Sequence, residues 1–245
     1  MIGSSQYTSR IVAFIDILGF RNLISSLVKD SKLHRNIYQS LSLLKHRGQL
    51  SGNEKTSFSN LEVSTFSDSI VISTENNNAI SLIYACGWIQ AELFQLGILT
   101  RGGISSGLMV HKDNIMYGEG LLKSYDLETK CAIYPRILID SMLVNNFNQK
   151  IKTFFLSKDV DGLWFVDPFK FDASANIVDD AIADGYDPRE IYFSELLQCI
   201  EKNIKDAKSD SVFAKWKWLK SKAEPAQKEY IKTRKSNISK IFRST

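Results

Sequence analysis

The longest uninterrupted apolar pattern near the start of the chain is Ile11–Phe20. Five apolar residues run into one carboxylate, Asp16, and are followed by Ile17, Leu18, Gly19 and Phe20. Such a run reads as a strand buried on both faces, with an acid at its end. From Phe20 to Arg47, apolar residues recur at Leu23, Leu27, Leu33, Ile37, Leu41 and Leu44 among charged ones, the spacing of one or two amphipathic helices. Gly48 to Asn60 is rich in Ser, Gly and Asn and reads as a loop. Two extended runs, Leu61–Phe66 and Ile70–Thr74, flank Ser67-Asp68-Ser69 and predict a hairpin with Asp68 at its bend.

A helix is expected from about Asn78 to Leu96, closed by Gly97. Ile98–Val110 then reads as a strand carrying Gly102, Gly103 and Gly107, and glycines inside a strand imply a bulge or a close approach by another backbone or a ligand. A second hairpin turns at Lys112-Asp113-Asn114 into Ile115–Gly120. A helix over Leu121–Cys131 and a strand after Pro135 complete the order β-α-β-β-α-β-β-α-β. This order predicts an α+β fold with a mixed, mainly antiparallel sheet and helices on one face. Further along lie a helix near Ile151, a strand-like Leu163–Val166, an acidic loop at Asp179, Asp180 and Asp184, and amphipathic helices. We expect a catalytic domain over 8–145 and a helical C-terminal extension over 146–245, packed on or beside it.

Composition narrows the chemistry. Cys86, Cys131 and Cys199, like His34, His46 and His111, lack metal-ligand spacing, so a bound metal is expected to be hard and oxygen-coordinated, Mg²⁺ or Mn²⁺ rather than zinc. Unpaired cysteines, no apolar stretch long enough to span a bilayer and no secretory signal at Met1–Ser5 give a cytoplasmic expectation without a membrane partner. The net charge of +4 is uneven: Ile200–Thr245 carries 13 Lys/Arg against 5 Asp/Glu. A basic helical face of this kind is read first as solvated, and nucleic acid is not the expected partner.

A carboxylate at the end of a buried strand must meet a cation, a cluster of N–H donors or a metal ion, or else cap the following helix. In a sheet of this order the end of the first strand and the hairpin bend come together, so Asp16 would face Asp68. Two carboxylates with a main-chain carbonyl suit Mg²⁺, and the backbone N–H groups at Gly19-Phe20-Arg21 suit phosphate.

Four segments resemble, in order and spacing, the catalytic core of class III nucleotidyl cyclases. They are Phe14–Phe20, Thr65–Ser69, Arg101–Gly107 and Tyr117-Gly118-Glu119 through Leu127-Glu128. The resemblance, over about residues 10–140, implies a ferredoxin-like domain working as a head-to-tail homodimer with nucleotide between the subunits. It also implies two metal ions held by Asp16, the Ile17 carbonyl and Asp68. Arg101 would contact the base or a phosphate or else pair with a surface acid, Tyr125 would stack on the base or fill core, and Lys123 and Arg136 are candidate triphosphate ligands or plain surface charges. Purine cyclases read adenine with a Lys and an Asp at places filled here by Ser64 and Ile115, and their transition-state Asn and Arg fall on Leu122 and Asp126. The Arg-Gly-Gly-Ile, Ser-Tyr-Asp-Leu-Glu and Tyr-Pro-Arg-Ile segments are similar to the bacterial pyrimidine cyclases of Pycsar anti-phage defence. Those make cyclic UMP or cyclic CMP from UTP or CTP for a separate cyclic-nucleotide-sensing effector protein. The alternatives are a cyclase-like dimer that binds nucleotide or a partner without chemistry, and a polymerase-like palm.

Overall fold

The computed structural model describes residues 7–48, 60–75, 78–113, 115–170 and 187–241. The expected loop over 48–60 falls almost wholly, and the acidic loop at Asp179–Asp184 wholly, outside the described residues. An eight-stranded sheet is built from β1 (Thr8–Ile17), β2 (Glu62–Phe66), β3 (Ser69–Glu75), β4 (Thr100–Lys112), β5 (Ile115–Gly118), β6 (Ile137–Ile139), β7 (Leu156–Lys158) and β8 (Trp164–Val166). The order is β2-β3-β1-β4-β6-β8-β7, with β5 paired to β4. Every pairing is antiparallel except β4 with β6. The fold is α+β, and β1 lies between β3 and β4 as its apolar run requires.

The helices are α1 (Phe20–Leu27), α2 (Ser31–Gly48), α3 (Ala79–Gln95), α4 (Glu119–Cys131), α5 (Ser141–Asn145) and α6 (Gln149–Phe155), followed by α7 (Pro188–Lys205) and α8 (Asp210–Ile241). The stretch after β1 is two helices because Asp30 interrupts it: its carboxylate accepts from the Leu33 N–H at 2.9 Å and starts α2. Strand alternation sorts the packing. Ile11, Ala13, Ile15 and Ile17 face one way, toward α3, whose Gln90 donates to the hydroxyl and carbonyl of Thr100 opposite Ile17. Val12, Phe14 and Asp16 face the other way, where α4 lies.

That second layer is the one departure from helices on a single face. Gly103 and Gly107 leave β4 bare on the Asp16 side, and α4 settles directly on its backbone. A Cβ at Gly103 would stand 2.3 Å from the Ser124 carbonyl oxygen and 2.9 Å from the Glu128 nitrogen, and one at Gly107 2.7 Å from the Gly120 nitrogen. The Ser124 hydroxyl donates to the Val12 carbonyl at 2.8 Å and locks the helix to β1. Gly103→Ala is therefore expected to destabilise the fold by about 1–3 kcal/mol, because the obstructing atoms are backbone. Urea unfolding checks this, and an unchanged midpoint would contradict the close approach.

The sheet runs on past residue 145, since β8 pairs with β6 and β7 with β8. Contacts divide the chain into two compact units, 1–171 and 172–245. In the second, α7 is capped by Asp187, which accepts from the Arg189 and Glu190 N–H groups, and Tyr230 of α8 donates to the same carboxylate at 2.6 Å. Lys220 of α8 is ion-paired with Glu201 of α7. Among the described residues no helix is long and apolar enough to cross a membrane.

Candidate active site

The C-terminal end of β1 carries the candidate chemistry. Asp16 stands between Ser69 of β3 and Arg101 of β4 in the ladder. The β2–β3 turn folds back on it: Ser67 takes a left-handed conformation (φ 54°), and the Ile17 N–H donates to the Asp68 carbonyl at 2.8 Å. Asp16, Ile17 and Asp68 thus share one corner of the sheet. Burial raises the Asp16 carboxyl above the usual carboxylate range; nearby Arg101 opposes the rise and the charge of Asp68 adds to it.

Arg101 does not project freely into this corner. Its Nε lies 2.5 Å from Glu128 Oε1, an ion pair without hydrogen-bond alignment, and 3.6 Å from Asp16 Oδ2. Its Nη1 donates to the Ala132 carbonyl at 3.2 Å. Glu128 is only 3% exposed, against 28% for Arg101 and 22% for Asp16. Its second oxygen accepts from the Thr129 hydroxyl at 2.8 Å. Burial is the main cause that raises the Glu128 carboxyl, with the Thr129 hydrogen bond and Arg101 acting against it.

The remaining expected site residues divide. Gly19 adopts φ 71° and turns the chain from β1 into α1, which opens at Phe20 without a side-chain cap; the Asn22 N–H donates to the Gly19 carbonyl at 3.0 Å, so the Phe20 and Arg21 N–H groups are the ones placed to meet an anion. Tyr125 is half exposed and meets Phe14 edge-on, with ring centres 5.3 Å apart, on the face that carries Asp16. Lys123 is paired with Glu119 one turn earlier at 2.9 Å and is partly exposed.

Arg136 requires a correction. Its side chain is 0% exposed, its Nη1 donates to Asp159 at 2.6 Å, and its Nη2 pairs with Asp161. A guanidinium buried between two carboxylates is committed to holding the β7–β8 turn against β6, not to a phosphate.

The places that differ from purine cyclases are also informative. Ser64 is buried, its hydroxyl 2.9 Å from His111 Nε2, while the other ring nitrogen of His111 lies 2.8 Å from the Ser73 hydroxyl. Burial, and secondarily Arg10, lowers the His111 pKa to about 4, so the ring is neutral near pH 7. Ile115 is exposed on β5, Leu122 is exposed on α4, and Asp126 is paired with Lys130.

Glu128 is the residue that sequence reading passes over as a site. The signal is present: Gly120, Ser124 and Glu128 recur every four residues on the face of α4 that is buried against β4, and a Glu in such a stripe needs a cation.

As a cation site, the corner offers hard oxygens only. Among the described residues, no group of three or more His, Cys, Asp or Glu side chains could by itself hold a metal. Mg²⁺ takes carboxylate oxygens together with those of a substrate phosphate, and Asp16 and Asp68 are donors of that chemical kind.

No protein-family model matches the sequence, and no curated protein matches it. Among solved structures, the chain is similar to a bacterial light-regulated adenylyl cyclase at 18% identity, over 66% of this chain and 92% of that one, with a TM-score of 0.47. A second structure of a bacterial light-regulated adenylyl cyclase aligns at 14% identity over 78% of this chain and 57% of that chain, TM-score 0.46. A class III adenylyl cyclase-like ATP-binding protein from Pseudomonas aeruginosa aligns at 11% identity over 60% and 36%, TM-score 0.39. These are likenesses of fold alone.

Proposed function

We propose that the chain is a pyrimidine nucleotide cyclase that converts UTP or CTP to the 3′,5′-cyclic nucleotide and pyrophosphate. The observation that carries this reading is the 2.8 Å hydrogen bond from the Ile17 N–H to the Asp68 carbonyl, which brings the hairpin acid to the strand end that bears Asp16, next to a helix start without a side-chain cap. Asp16, the Ile17 carbonyl and Asp68 would hold two Mg²⁺ or Mn²⁺ ions. Bound there, such ions would ease ionisation of the 3′-hydroxyl and neutralise the leaving pyrophosphate. The bond from the 3′-oxygen to the α-phosphorus forms as the bond to pyrophosphate breaks, and the hydroxyl proton passes to solvent.

The chain's own groups do the positioning. The N–H groups of Phe20 and Arg21 face phosphate oxygens, Lys123 exchanges Glu119 for the triphosphate, and the Tyr125 ring offers a face to the pyrimidine. Arg101, held by Glu128, tunes Asp16 and does not grip the base. A purine is disfavoured because the two adenine-reading places hold a buried serine tied to His111 and an exposed isoleucine. A homodimer with substrate between subunits agrees with exposed apolar side chains at Phe66, near the corner, and at Ile115 and Tyr117 of β5, at the far end of β1. The similarity to Pycsar enzymes extends the reading to a cytoplasmic second messenger made on phage infection for a separate effector protein.

One observation favours a second reading. Leu122 and Asp126 stand where transition-state Asn and Arg are expected, and Asp126 is tied to Lys130. A cyclase-like dimer that binds nucleotide without turnover would look the same there. Incubating the full chain with each of the four nucleoside triphosphates and Mn²⁺ separates the two. Cyclic UMP or cyclic CMP is the expected product, and tight nucleotide binding with no cyclic product from any of the four would favour the second reading.

A further inference from the structure

We infer that Glu128 is a positioning residue that keeps Asp16 open to a divalent cation by holding Arg101 away from it. This inference rests on the metal-dependent reading given above. Among the described residues, Arg101 is the one cation within ion-pair reach of Asp16, and its Nε is more than 1 Å nearer Glu128, at 2.5 Å against 3.6 Å. Without Glu128, the guanidinium would settle on Asp16 and close the oxygens that a metal needs.

Glu128 is placed firmly enough to do this. It lies on α4 one turn beyond Ser124, and α4 is pinned to the sheet where Gly103 admits no side chain and the Ser124 hydroxyl grips the Val12 carbonyl. The carboxylate is nearly wholly buried, so its charge must be answered from inside the protein, and Arg101 is the group that answers it. Charge balance points the same way. Asp16 and Glu128 beside the Arg101 guanidinium, with Asp68 on the adjoining turn, sum to a net formal charge of −2, matched to a divalent ion, whereas removal of the Glu128 charge leaves −1.

The test measures Mn²⁺ binding by the full chain in the presence of 3′-deoxy-UTP, which supplies the completing phosphates and cannot cyclise, following free Mn²⁺ by electron paramagnetic resonance against the same nucleotide without protein. Wild type, Glu128→Gln and the double variant Arg101→Gln/Glu128→Gln are compared. Glu128→Gln is expected to bind about 10–100-fold more weakly, the scale of losses when a group supporting a metal ligand is removed. The double variant, with no guanidinium left to cover Asp16, is expected to return to within about threefold of wild type, on the same reasoning. Glu128→Asp withdraws the charge by one methylene, and an intermediate loss is expected there even if the Gln variant fails to fold. Wild-type affinity in Glu128→Gln or Glu128→Asp, or a double variant as weak as the single one, would overturn the inference while leaving the metal site standing. Absence of Mn²⁺ binding in the wild type would overturn the metal reading itself, and the inference with it.

Discussion

Replacing Asp16 with Asn is expected to abolish nucleotide cyclisation while making the protein more resistant to heat. The first effect follows from losing a charged metal ligand, and a loss of about three orders of magnitude corresponds to about 4 kcal/mol of transition-state stabilisation. The second follows from burial. The Asp16 carboxyl is raised in the folded protein, chiefly by desolvation and only partly relieved by Arg101, so the folded state binds a proton more readily than the unfolded chain does. At neutral pH the ionised group therefore works against folding. That penalty is full above the raised Asp16 value, fades as pH falls from there toward the ordinary carboxylate value, and is gone below the latter. The Asp16→Asn variant should accordingly melt higher than wild type near pH 7, and the two melting curves should draw together in acid. Mn²⁺ should raise the melting temperature of wild type and not of the variant. For the same reason, wild-type turnover at limiting Mn²⁺ should decline on acidification at a higher pH than an ordinary carboxylate would give, and excess Mn²⁺ should shift that decline downward. A variant that is inactive and also less stable would indicate a structural role for Asp16.

Removing the Arg136 guanidinium is the change expected to cost most stability. Arg136→Ala leaves Asp159, which is buried, and Asp161 facing each other without their cation. Breaking a buried pair from one side costs about 3–5 kcal/mol, a large part of a domain's stability. Lysine should recover little, since one ammonium cannot match the guanidinium's bonds to both carboxylates. The arrangement also has a pH signature: hydrogen bonding from Arg136 holds the Asp161 carboxyl below the usual range, so its contribution is in place above the unfolded-state value and is lost as pH falls through the lowered one. Urea unfolding of Arg136→Ala is the check. Wild-type stability combined with a raised KM for triphosphate would restore Arg136 to the substrate site.

These cases show which parts of the molecule the chain announces. The apolar run into Asp16, the hairpin bearing Asp68 and the glycine-bearing strand were legible because each is a local pattern whose period fixes its structure. Their meeting was legible because a first strand flanked by a hairpin leaves few pairings. What stayed hidden depends on partners distant in sequence. Arg136 looks like any surface arginine until a turn more than twenty residues later brings Asp159 and Asp161 over it, between two strands of three residues each. Arg101 reads as a free cation until α4 delivers Glu128. The second helical layer follows from Gly103 and Gly107 facing the same side as Asp16, a backbone channel fitted to the small residues Gly120 and Ser124 of α4.

The central claim is that Asp16 and Asp68 together carry a cation-dependent ring closure. Its most direct test is mass-spectrometric measurement of cyclic nucleotide formed from UTP and from CTP across a Mn²⁺ titration, by wild type, Asp16→Asn and Asp68→Asn in parallel. Wild type alone is expected to release a cyclic pyrimidine product with pyrophosphate, in proportion to bound Mn²⁺. Equal product from either variant, or product that forms without a divalent cation, would contradict the claim.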